Sequence, residues 1–232
     1  MRVLAMPDAQ QLLALTERAE REHPIDRALS ILSVFLGQTR SELATLPIHV
    51  RDHLLLASRI ATFGNRLEGV AHCPSCSCKV DACLDLREPT APASADPGML
   101  EVAGAPIALR VPNSRDLAEA VRLGDPELAG HMLAQRCQLS GEASEAARRA
   151  IDAEIERLCE ASSVELCMAC PQCSHHFVVS ADIGSFFWEE LRTHACCLIE
   201  EVDALALRYG WSEADILALS ESRRRRYLEL DE

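Results

Sequence analysis

Apolar residues recur at helical spacing through the first seventy positions. A helix over residues 8–22 is opened by Asp8 after Pro7. The stretch HPIDRALSILSVFLG then sets Ile25, Leu29, Leu32 and Phe35 or Leu36 along one face, with Gly37 as its stop. A third helix is predicted from Pro47 to Phe63: Leu55, Leu56, Ile60 and Phe63 form its stripe, and Gly64 stands where a C-terminal cap belongs. Residues 1–70 therefore read as an N-terminal helical unit. From Arg87 to Gly98 the pattern lapses into proline, alanine and small polar residues, the composition of a solvated loop. Beyond it, MLEVAGAPIALRVP predicts a hairpin turning at Gly104, with Pro106 requiring an edge position. Helices follow, capped by Ser114, opened by Asp125 with Pro126, and carried by the alanine- and glutamate-rich GEASEAARRAIDAEIERLCE. SSVELCMA reads as a strand, FVVSADI as another. A helix from Ser185 to Arg208 reaches Tyr209 and Gly210, Ser212 with Asp215 makes a capping box, and Ser220 or Ser222 begins a last helix through RRRRYLEL.

Composition narrows the function classes. With 232 residues, 48% of them hydrophobic, the chain can bury a substantial core. It contains no apolar run of the roughly 18 residues that a membrane span needs, and the opening segment turns charged too early for a signal peptide, so a cytoplasmic protein is expected. The net charge of −13 opposes a phosphate backbone, which makes nucleic acid an unlikely partner. Lys79 is the sole lysine; arginine, suited to bidentate contacts with carboxylates, supplies the other cationic side chains. Eleven cysteines are an odd number in a long chain without an export signal, which favours reduced thiols and metal over a disulfide framework.

Those cysteines carry the strongest motif. CPSCSCKVDACLDL, from Cys73, and CPQCSHHFVVSADI, from Cys170, align without a gap. The match includes the prolines, the serine after each second cysteine, Val80 against Phe177 and Asp85 against Asp182. A CxxC turn brings two thiolates to adjacent corners of a tetrahedron, and a closed structural zinc site needs four. Cys73, Cys76, Cys170 and Cys173 thus make one shared site, with iron as the other metal that suits thiolates alone. Two separate sites are the alternative, the first completed by Cys78 and Cys83, the second by Cys167, His175 or His176; buried free thiols are the third reading. The expected fold is α+β and mostly α-helical. A zinc-ribbon-like unit spans 71–184, with knuckles at 71–86 and 164–184 and a hairpin and helices inserted at 99–160. A helical region over 185–232 follows.

Other features are weaker. His49 and His53 stand one helical turn apart, but no acidic or cysteine partner completes a familiar metal-binding pattern, which favours ordinary histidines. Cys137, Cys159, Cys196 and Cys197 lie in predicted helices, where small buried side chains are the default. No catalytic or phosphate-binding motif is present, so nothing in the residues names a reaction or a small-molecule substrate. Phe186, Phe187 and Trp188 are consecutive and cannot share one helical face. Trp188, Trp211, Arg223 and Arg224 are candidate partner contacts, although core packing against the ribbon is the favoured use of the aromatic run, and acidic neighbours make salt bridges the simpler use of the four-arginine run at 223–226.

Three phrases in order, LPIHVRDHLLLASRIATFGNRLEGVAHCPSC, CPQCSHHFVVSADIGSFFWEEL and YGWSEADILALSESRRRRYLEL, resemble baseplate and tail-assembly proteins of contractile-tailed bacteriophages and related contractile injection systems. The resemblance covers about half the chain, residues 45–86 and 164–230. It implies a non-enzymatic baseplate component or assembly factor with other baseplate or tail proteins as partners. It also implies one structural Zn2+ per chain on Cys73, Cys76, Cys170 and Cys173. The family's glycine after each second knuckle cysteine is here Ser77 and Ser174. A zinc-ribbon nucleic-acid-binding or regulatory adaptor, and a cysteine-based redox protein, are the competing expectations.

Overall fold

The computed structural model describes residues 5–86, 98–102, 105–141, 145–160 and 164–231. Four helices come first: α1 Ala9–Ala19, α2 Pro24–Leu36, the short α3 Arg40–Leu43 and α4 Ile48–Phe63. Local chemistry sets their ends. Asp8 and Gln11 exchange side-chain and backbone hydrogen bonds as a capping box on α1, and Thr39 with Glu42 does the same on α3, a helix too short for periodicity to reveal. Gly37 ends α2 in the left-handed region, with φ of 61°. Pro47 is the residue before α4 rather than part of its first turn.

Next come the antiparallel hairpin β1 Arg66–His72 with β2 Lys79–Asp85, and the strands β3 Gly98–Val102 and β4 Ala105–Leu109. The solvated loop expected at 87–98 lies outside the described residues except for Gly98, as does the Gly104 turn of the second hairpin. Helices α5 Ser114–Leu123 and α6 Pro126–Cys137 lead to the short β5 Gln138–Ser140, then to α7 Glu145–Glu160. Sequence reading missed β5. It pairs with β4, so the strand carrying Pro106 is central in the order β3-β4-β5. β5 pairs only with Ala108 and Leu109, so the proline lies beyond the doubly bonded part of the strand. A further correction concerns α5. Asn113, not Ser114, caps it by accepting from the N–H groups of Arg115 and Asp116, while Ser114 is buried and receives a hydrogen bond from Arg51.

The hairpin β6 Val164–Ala169 with β7 His176–Ala181 returns the chain to α8 Ile183–Tyr209, capped by Asp182 and ended at Gly210. α9 Glu213–Leu217, with the Ser212 and Asp215 capping box, α10 Glu221–Leu228 and a 3-10 turn complete the described chain. The fold is thus α+β, mostly helical with small antiparallel sheets.

Residues 1–70 and 185–232, divided on sequence, share one core. Ile183, Phe187, Trp188 and Leu191 of α8 pack in a single cluster with Leu15, Ile31, Leu32, Phe35, Leu43 and Leu55. Phe187 sits between Phe35 and Phe63, with ring centroids at 5.5 and 6.1 Å. The inserted segment has its own core of Ile107, Leu109, Ala134, Cys137, Ile151 and Ile155. That segment docks on α3 and α4 through the Ile48 N–H to the Pro112 carbonyl, at 2.9 Å, and through Arg115 to Ser41. Its Asp116 is fully buried between Arg110 and Arg136, at 2.6 and 2.8 Å. Burial opposes ionisation there, but the two guanidinium groups and the Asn113 N–H prevail and hold the carboxyl at about 2.

Arg59 joins the helical core to the first hairpin. Only 1% exposed, it grips the Glu190 carboxylate of α8 with two bonds, at 2.6 and 2.8 Å, and donates to the carbonyls of Gly64 and Arg66, each at 2.7 Å. The boundary set at residue 70 on sequence falls inside β1, whose entry Arg59 fixes. Replacement of Arg59 by alanine strands the Glu190 carboxylate and two carbonyls, and should cost about 3 kcal/mol of unfolding free energy. Lysine, which lacks the planar fork, should recover less than half of that. Urea denaturation of the two variants measures both values.

Candidate metal centre

Each CPxC segment forms the turn of a hairpin. In the first, the Cys73 N–H bonds to the Cys78 carbonyl at 2.9 Å and the Ser77 N–H to the Cys73 carbonyl at 2.8 Å. In the second, Cys170 to His175 and Ser174 to Cys170 repeat both bonds at 2.9 Å. The shift that carries residue 73 onto 170 also carries the pair Ala71↔Val80 onto Met168↔Phe177, and His72↔Lys79 onto Ala169↔His176. Sequence matching and strand register therefore describe the same duplication. Reading the repeat backwards from its cysteines, with SSVELCMA as the guide, would have revealed β1; the outward Val70 and inward Gly69 hide it from an alternation test.

Ser77 and Ser174 are the two non-glycine residues with positive φ among the described residues, at 59° and 57°. The knuckle requires that geometry, because the left-handed residue turns its N–H back to the first cysteine's carbonyl. Serine is therefore strained at a step that glycine would take without cost.

The two knuckles face each other. Cys73 Sγ lies 3.6 Å from Cys173 Sγ, and Cys76 Sγ lies 3.6 Å from Cys170 Sγ. Exchange of the knuckles maps one contact onto the other, so the pair has approximate two-fold symmetry. All four sulfurs lie within 4.8 Å of one another, and all four residues are free cysteines. A regular tetrahedron with metal–sulfur bonds of about 2.3 Å has edges of about 3.8 Å, so the spacing suits one metal ion and is far too long for disulfides. Cys73 and Cys170 are buried and Cys76 and Cys173 exposed, with Val80, Met168 and Phe177 packed behind the inner pair.

The surroundings differentiate the thiols. At Cys170 the Cys173 N–H, helped by the Gln172 N–H and the Cys76 and Cys173 thiols, outweighs desolvation and lowers the pKa to about 6. At Cys76 the Cys78 N–H favours the thiolate, but hydrogen bonds with the other three thiols and desolvation prevail, and the pKa rises to about 12. Four sulfurs this close cannot all ionise without a compensating cation. One tetrahedral cation satisfies all of them and leaves no coordination position open for water or substrate.

The structure brings the four predicted ligands together. Cys83 and Cys167 are exposed on the hairpins; Cys78 is half-buried and packs against Cys73 and Cys170, but neither it nor His175 or His176 belongs to the ligand-spaced group. His49 and His53 are half-buried on α4, where desolvation lowers both pKa values, with Asp52 opposing this at His49. Among the described residues the four cysteines are the one group with metal-ligand spacing.

Cys137 is buried as expected, the Cys159 side chain lies outside those described, and Cys196 and Cys197 are exposed, contrary to expectation. They lie on the face of α8 that points away from the core. Trp188 is also corrected as a partner contact: it is 3% exposed in the core, with the Arg27 guanidinium 4.5 Å from its ring centroid. Arg224 is likewise internal, 4% exposed, bonded to Glu201 at 2.8 Å and to the Leu219 carbonyl. Arg223 is exposed and Arg225 pairs with Glu221, so the arginine run is divided between interior and surface. Half-buried Trp211 stacks on Tyr209 at 4.7 Å and meets Tyr227 edge-on.

No helix among the described residues is long and apolar enough to cross a membrane. Compared with family models, curated proteins and solved structures, the chain matches none.

Glycine at either strained knuckle position should raise the unfolding free energy of the metal-loaded protein. The gain expected for Ser77→Gly or Ser174→Gly is about 0.5–1 kcal/mol, the left-handed strain relieved less the larger unfolded-state freedom of glycine. Guanidinium denaturation midpoints read the change; a fall would show that the serine side chains contribute more than the strain they impose.

Proposed function

We propose that the protein is a non-enzymatic structural component or assembly factor of the baseplate of a contractile, phage-tail-like particle, fastened internally by one zinc ion. The observation that carries the structural part is the closed set of four sulfurs drawn from two knuckles. Zinc is the metal that such a cage suits best, with iron the second choice. Bound there, zinc would cross-link the two hairpins, and through Arg59 and Glu190 fix them to the helical core. It would supply mechanical closure rather than chemistry, since every coordination position belongs to the protein.

The baseplate part rests on the three ordered phrases that resemble that family. An acidic, arginine-using surface and a rigid metal-fastened body accord with a part that is assembled against other proteins. Neighbouring baseplate or tail proteins, within the cytoplasm where such particles are built, are the partners this reading supplies.

Metal analysis of the purified chain should return one zinc per chain. Cys76→Ser and Cys173→Ser, made separately, should each remove it, whereas Cys78→Ser should retain it. Two metals lost independently would replace the shared site with two local ones. Affinity should also weaken as pH falls, because protons compete for the thiolates. For the assembly role, deletion of the gene should abolish sheathed particles in electron micrographs, and normal contractile particles in the deletion strain would refute it.

A further inference from the structure

Away from the four-cysteine cluster, where β1 meets α8, Phe63, Phe186, His194 and Cys197 line a shallow, open surface depression of about 470 Å³. The charged side chains in its lining are all carboxylates: Glu68 from β1, and Glu189 and Glu190 from α8. Phe63 is held edge-on to Phe187 and to His194, at 84° and 72°, so the aromatic wall is rigid. Phe186 leans on the backbone of β1 at Gly69, where a Cβ would come within 3.5 Å of its ring. The lining thus draws on α4, β1 and α8, and it takes shape when the first hairpin is seated against the helices.

The three carboxylates differ in availability. Glu190 is committed to buried Arg59. Glu68 and Glu189 pair with Arg66 and Arg192, but both pairs are solvent-exposed on each side, with side-chain exposures from 51% to 73%. Exposed pairs of this kind are worth about 0–1 kcal/mol, so an incoming cation can displace either arginine at little cost. Aromatic faces flanked by exchangeable carboxylates fit a flat cation. A guanidinium stacks on phenylalanine and binds carboxylate with two parallel bonds, whereas an ammonium does neither as well. The chain's charge of −13 favours association with a basic partner.

We propose that this depression is a socket for an arginine side chain presented by a basic segment of a partner protein. The proposal goes beyond the assembly role and does not depend on which metal fills the clasp. Cys197 lines the socket, and its exposed neighbour Cys196 does not, so the two thiols report site-specific protection.

The test alkylates the metal-loaded full chain with iodoacetamide in the presence of a capped tetrapeptide carrying two arginines, and reads each thiol by mass spectrometry. Labelling of Cys197 should slow about threefold when the peptide stands at about twice its dissociation constant, while Cys196 is unchanged. A matching peptide with two glutamates should give no protection. Protection should vanish in E68Q/E189Q, whose changes lie on exposed side chains, and weaken in F186L, which keeps the apolar packing and removes the aromatic face. Equal slowing at Cys196, protection by the glutamate peptide, no protection by the arginine peptide, or protection that survives E68Q/E189Q would each overturn the assignment.

Discussion

Four sulfur atoms, two from each end of a long insertion, must occupy one small volume, and the rest of the architecture is arranged around that demand. Bringing like-charged thiolates together is unfavourable unless a cation neutralises them, which is why the depressed pKa of Cys170 and the raised pKa of Cys76 belong to a single cluster. The opposed contacts at 3.6 Å are close to the spacing a metal requires. Insertion of residues between the knuckles adds little to the entropy of closing the loop, because that cost grows only logarithmically with length. The inserted segment can therefore fold around its own core without loosening the clasp.

From the clasp, constraint passes to the helices through few contacts of high quality. Arg59 is bonded at once to α8, to the end of α4 and to the start of β1, so the ribbon's orientation is tied to the same side chain that closes the helical core. A buried guanidinium with four good acceptors is satisfied, whereas any one partner without it is not; this asymmetry makes the junction specific more than it makes it strong. The proposed arginine socket lies beside the same junction and uses Glu189, the neighbour of the committed Glu190. A partner reading that face would sense whether the hairpin is seated.

The approximate two-fold symmetry of the knuckles explains why serine appears twice at a strained φ. Each half of the cage has the same hydrogen-bond plan, and each needs a left-handed residue at the same step. Duplication of the whole hairpin, rather than of the cysteines alone, accounts for the shared register of the strands on either side.

Much of this was legible along the chain because it is local. Asp8, Gly37, Asp125, Ser212 and Gly210 mark helix ends through bonds to residues within a turn, and the CPxC repeat names its ligands because a tight turn needs proline and small residues at fixed steps. The sequence thereby determined the main helices and the four cysteines that cluster. It did not determine β1, whose alternation is broken by Gly69 and Val70, nor that Trp188 and Arg224 point inward while Cys196 and Cys197 point out. Those outcomes depend on which face of a helix another element covers. Helical periodicity says that α8 has a buried face, but only contact with α1, α2 and α4 decides where it lies. Arg59 is the clearest case: an arginine in a helix is ordinarily solvated, and it became the hub of the structure because the distant Glu190 of α8 was brought beside the nearby Gly64 and Arg66 carbonyls.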